Sequence, residues 1–202
     1  MAYSDFTLAG LQEQFGIINQ RVILFEKVTP VPPSDYLKRE LEEVESLPIR
    51  SEKAKSEWIV VPILKELRNR NNRFFTIYSG DNLLADASKG LKGECDFILA
   101  KDIGTFDINY PIIQIVEAKK NDLEIGVPQC AAQLVGADIY NKNKGANLSK
   151  IYGCVTTGSE WLFMLLEDNC VKINTKTYYL NEVHNILGIF QQIIDYYKSE
   201  LK

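Results

Sequence analysis

Three residues stand out for the chemistry they could do: Asp96 in "GECDFILA", and Glu117 and Lys119 in "PIIQIVEAKKND". Both stretches read as strands, and side chains alternate across a strand, so Glu117 and Lys119 leave the same face with their roots roughly 7 Å apart. The same alternation puts Ile113 and Ile115 with them, Ile112, Gln114, Val116 and Ala118 on the opposite face, and Glu94, Asp96 and Ile98 together in the earlier stretch. A hairpin turning about Phe106 and Asp107 opposes Asp96 to Glu117. Opposed residues of an antiparallel pair have Cβ atoms about 5 Å apart, where two carboxylates repel and raise each other's pKa unless a cation lies between them. A hard ion such as Mg²⁺, for which Mn²⁺ can substitute, takes oxygen ligands and keeps several waters. Asp96, Glu117, a backbone carbonyl such as that of Ala118, and a third acid would suit it. Lys119 would then stand beside the ion, placed to hold a scissile phosphate or to assist deprotonation of water.

The third acid is expected on a helix that Ser51 caps, with Ala54, Val61 and Leu64 marking its buried stripe. Glu57 lies on that stripe and is favoured for the role; Glu52 competes for it. Pro62 would end or kink this helix. Other chemistries are poorly supplied. His184 is the only histidine, so a Ser-His-Asp triad, a Cys-His pair and a histidine zinc site lack their usual base or ligand. Cys95, Cys130, Cys154 and Cys170 form no C-x-x-C pair and read as reduced, buried fillers.

The elements that must position these side chains can be read from hydrophobic period and turn residues. Residues 1–50 read as an accessory segment: a short helix over Leu8 to Phe15, an apolar "RVILF", the irregular "TPVPPSD", and a charged helix face in "LKRELEEVES". "RFFTIYSG", "ECDFILA" and "PIIQIVEAK" form an antiparallel meander. Pro128 suits the first turn of a helix over "QCAAQLVGADIYN", whose small residues let it lie close on a sheet. A strand "IYGCVTTG" follows, with "EWLFMLLED" and "VKINTKTYYL" as hairpin partners. Asn181 is expected to cap a last helix with Val183, Ile186, Leu187, Phe190, Ile193, Ile194 and Tyr197 on its inner stripe.

An acid on a helix, Asp on one strand, Glu-x-Lys on the next, a Gln-bearing helix and a further strand: in this order the chain resembles the PD-(D/E)xK nuclease superfamily across about residues 51–160. The resemblance implies an α/β restriction-endonuclease-like core, with a mixed central sheet flanked by helices, and Mg²⁺-dependent hydrolysis of phosphodiester bonds. It implies Asp96, Glu117 and Glu57 as metal ligands, Lys119 as the catalytic amine, and Gln133 or Gln129 at the attacking water or a phosphate. Two departures are visible: Cys95 stands where the family has proline, and the Gln-x-x-x-Tyr signature of its exonuclease branch is not met, since Tyr140 follows Gln133 by seven positions.

A chain of 202 residues, 46% hydrophobic and 25% charged, suits a single compact domain, with residues 51–202 as the nuclease-like part. No apolar run is long enough for a membrane span, which points to a cytoplasmic protein without a membrane partner. The expected activity is that of an endonuclease on nucleic acid, DNA before RNA, and the resemblance leaves a homodimer open. The net charge of −4 supplies no general attraction to DNA, so a non-catalytic scaffold on the same fold is the competing reading. A strand-end Glu-x-Lys alone is commonly a surface ion pair worth about 0–1 kcal/mol. Its combination with Asp96 and a helix acid is what points to a site. Arg68, Arg70 and Arg73, with the asparagines between them, could contact phosphates or simply close a helix.

Overall fold

The computed structural model describes residues 1–201. Its frame is an open mixed sheet of eight strands flanked by helices, with the path β1-β7-β6-β5-β4-β3-β2. The strands are β1 (Ile18–Val22), β2 (Phe75–Asp86), β3 (Leu91–Lys101), β4 (Ile112–Ala118), β5 (Lys150–Thr156), β6 (Glu160–Glu167), β7 (Cys170–Asn174) and β8 (Tyr178–Tyr179), the last pairing with β6 off the main path. The helices are α1 (Leu8–Phe15), α2 (Asp35–Val44), α3 (Glu52–Lys55), α4 (Val61–Arg70), α5 (Leu123–Asn143) and α6 (Val183–Glu200).

β2, β3 and β4 form the antiparallel meander expected from their turn-bounded apolar runs. α5 then crosses over, and β5 returns parallel to β4. Because side chains alternate, neighbouring residues feed two separate cores. Ile98 and Ile115 meet α5 residues such as Cys130, Ala131 and Leu134 on one face. Phe97 and Val116 meet Ile63 and Leu64 of α4 and Phe190 and Ile194 of α6 on the other.

The β3–β4 register opposes Phe97 to Val116, Ile98 to Ile115 and Leu99 to Gln114, so the next step sets Asp96 beside Glu117. A bulge follows, after which Ala100 opposes Ile112. It breaks the alternation: Ile113 packs in the core on the α6 side while Ile115 packs under α5, so the two do not share a face as a regular strand would have them.

Local signals were overridden in three places. The helix after Ser51 is not broken at Pro62; a wide π turn over Ser56–Val60 leads into α4 and accommodates the proline's missing amide. α5 starts at Leu123, where Asp122 accepts from the Glu124 amide at 2.8 Å, and so Pro128 lies inside the helix instead of opening it. α6 starts at Val183 after a short 3-10 turn over Leu180–Glu182, and no side chain caps it, Asn181 included. Residues 1–50 supply the edge strand β1, parallel to β7, and place Tyr3, Phe6, Leu11 and Leu37 in the cores.

Candidate functional site

β3 and β4 stop pairing just where their charged residues begin. Past Phe97 and Val116 the ladder gives way to a side-chain bond, in which Asp96 Oδ2 accepts from the Ala118 amide at 2.7 Å. Asp96 therefore satisfies the backbone donor that a continued strand pair would have used. On β4's other edge the last ladder pair sets Ala118 against Thr156, and the Lys119 amide donates to the Thr156 carbonyl at 2.8 Å. This end of β4 is thus held from both sides, and Glu117 is held with it.

Glu117 is 1% exposed. A buried carboxylate needs partners for both oxygens, and it has them. Lys119 Nζ lies 2.6 Å from Oε1, and Gln133 Nε2 donates to Oε2 at 2.8 Å. Gln133 comes from the middle of α5 and is fully buried; its Oε1 has no partner among the described residues. Burial, and secondarily the charge of Asp96, push the Glu117 pKa up to about 7 against the pull of Lys119 and Gln133. Burial by itself would lower the Lys119 pKa, but the Glu117 carboxylate outweighs it and the net shift is upward. Both shifts are upward, so the pair holds its protons more tightly than the free groups would.

Two clefts open beside Asp96, and Glu117 and Lys119 line one of them. One, of about 270 Å³, is lined by Ala2, Tyr3 and Ser4 on one wall and by Asp96, Glu117, Lys119 and Gln129 at its floor and side. The other, of about 360 Å³, lies between the α3 region and the β2–β3 hairpin. Glu52, Glu94 and Asp96 line both, so acids dominate the surface the clefts share.

The expected site residues are distributed unevenly around these clefts. Asp96, Glu117 and Lys119 come together. Glu57 does not join them: it lies in the π turn, faces solvent, and pairs with Lys53 at 3.8 Å. A π turn holds more residues than an α turn, which shifts Glu57 out of phase with the stripe of α4. Glu57 lines only the second cleft, whereas Glu52 lines both and is among the acids whose field reaches Lys119. Ala118 is buried and lines neither cleft. Gln133 is committed to Glu117, while Gln129, one turn earlier on α5, is the glutamine at the cleft.

Other candidates serve the scaffold. Arg68 donates to the Phe75 carbonyl, Arg70 binds Glu66 and the Pro32 carbonyl, and the buried Asn71 joins Gln191 and Lys198 in a half-buried network. Trp161, Phe163 and Tyr178 are core residues, the four cysteines are buried and free, and His184 is exposed. Tyr3 forms part of the cleft wall although it lies far from the other residues in the chain. Sequence reasoning missed it because no local pattern ties an aromatic residue near the start to a strand tip more than 100 positions away.

Among the described residues, no three Asp, Glu, His or Cys side chains converge tightly enough to enclose a metal ion. The donor set still suits Mg²⁺, which is commonly held by one or two carboxylates with water and substrate oxygens completing its shell. The upward pull of Asp96 on Glu117 is the strain that a cation between them would relieve. Among the described residues no helix is long and apolar enough to cross a membrane. No family model matches the chain, and no curated protein or solved structure matches it.

Proposed function

We propose that the protein is a divalent-metal-dependent nuclease of the restriction-endonuclease-like kind, cleaving phosphodiester bonds with DNA as the favoured substrate. The observation that carries the reading is the buried Glu117, gripped by Lys119 and Gln133, beside Asp96 at the floor of an open cleft. A buried carboxylate beside a half-buried amine at a cleft is costly to fold around, and such pairs cluster where chemistry needs them. The element order supports the same reading: a helix with Glu52, an antiparallel meander with Asp96 and Glu117, a crossover helix with Gln133, and a parallel strand.

Asp96 and Glu117 would hold the metal from the strand ends, with Glu52 reaching the cleft from α3. A bound Mg²⁺ would supply Lewis-acid polarisation of the phosphodiester. Lys119 Nζ would donate to a non-bridging phosphate oxygen and stabilise the charge that grows there during displacement. Gln133 would keep Glu117 in one orientation, and Gln129 would meet substrate at the wall. Purified protein should cleave at least one of a panel of single- and double-stranded DNA and RNA in Mg²⁺ or Mn²⁺, and Asp96→Ala should abolish both cleavage and calorimetric Mn²⁺ binding. No cleavage across the panel together with no Mn²⁺ binding would overturn the reading.

The acid-lined clefts and net charge of −4 favour one second reading, a non-catalytic scaffold. Such a protein would show no Mn²⁺ binding that depends on Asp96.

A further inference from the structure

We infer that Gly126 is the positioning residue for Lys119, holding the lysine stem by leaving room for it on the face of α5. A Cβ at position 126 would stand 3.0 Å from Lys119 Cγ, 3.5 Å from Cε and 2.5 Å from Val155 Cγ1. The methylenes of Lys119 therefore run directly across bare helix backbone. Gly126 is buried and lies within α5, where glycine is less favourable than alanine. Close approach of the helix to Lys119 and to the sheet is the physical reason for glycine here.

A lysine side chain has four rotatable stem bonds, and a single contact at its tip does not fix its path. Lys119 is constrained at three points. Its amide donates to Thr156 at 2.8 Å, its ammonium lies 2.6 Å from Glu117, and Gly126 sets the course of the stem between them. Val155, the other neighbour of Gly126, is the β5 residue paired with Glu117. Two turns further along α5, Gln133 donates to the second oxygen of Glu117. One helix thus holds both members of the pair: Gly126 by the side chain it lacks, Gln133 by the hydrogen bond it makes.

The test is the accessibility of the Lys119 amine in the full chain, read by limited acetylation at one fixed pH and peptide mass spectrometry, with Lys150 and Lys172 as internal references. Lys119 is 17% exposed, against 31% and 28% for the references. Gly126→Ala should raise labelling of Lys119 severalfold relative to the references. Because the added methyl group also meets Val155, Gly126→Ala combined with Val155→Ala relieves that contact and keeps the one with Lys119, so Lys119 labelling should stay above that of Val155→Ala alone. Return of Lys119 in the double variant to the labelling of Val155→Ala alone would show that the glycine serves sheet packing, and would overturn the inference. An equal rise at all three lysines, the mark of general loosening, would overturn it too. The effect on cleavage rests on the proposed function; the labelling does not, so a protein without nuclease activity leaves this inference standing.

Discussion

The ammonium of Lys119, the residue just past the end of β4, lies 2.6 Å from the carboxylate of Glu117 two positions before it, and the carboxylate is almost wholly buried. Their alternation to one face brings them near each other, and burial makes the pairing obligatory, since removing either partner leaves the other with an uncompensated charge or an unmet hydrogen bond.

Glu117 should make stability depend on pH. Its pKa is raised from the ordinary 4.5 to about 7, so the folded state binds its proton more tightly than the unfolded chain does. The resulting stabilisation is fully present below the unfolded value and is lost as pH rises through the folded one. Urea unfolding across this range should show the decline in the wild type and its disappearance in Glu117→Gln; a flat wild-type profile would count against the buried carboxyl.

Replacing Lys119 by Met keeps most of the stem and removes the charge. On the proposed function, cleavage should fall by roughly 10²- to 10⁴-fold, measured in single-turnover assays at saturating Mn²⁺. Retained activity would remove Lys119 from the chemistry.

Glu52 and Glu57 can be separated by metal titration. Glu52 lines the cleft that contains Glu117 and Lys119, whereas Glu57 lines only its neighbour and pairs with Lys53. Glu52→Gln should weaken calorimetric Mn²⁺ binding clearly more than Glu57→Gln does; the reverse order would return the helix acid to Glu57.

Gln133→Leu should strand Oε2 of Glu117 without its donor. An unsatisfied buried acceptor costs about 1–3 kcal/mol, and the loss should appear as a lower midpoint in urea. Gln129→Leu, at the cleft wall, should change stability little.

Gly136→Ala tests the seat of Tyr3 against α5. A Cβ there would overlap the Tyr3 hydroxyl and ring, so the N-terminal turn must shift. Overpacking of this kind costs about 1–3 kcal/mol. Backbone amide exchange over residues 2–6 should quicken in the variant.

The meander, the two core faces and the neighbourhood of Asp96, Glu117 and Lys119 were legible in the chain because they follow from short-range rules: alternation by twos, apolar runs closed by turn residues, and a register set by the hairpin. Tertiary packing decided what those rules do not contain. The bulge at Ile113, the π turn that carries Glu57 to solvent, and the early start of α5 are departures that no local preference announces. The partners of Glu117 were decided in the same way. Gln133 and Glu52 reach the strand tip from separate helices, and Tyr3 comes to the cleft wall from the far end of the chain. Local pattern assigns each segment its shape; only the packing of segments distant in the chain determines which side chains share a space.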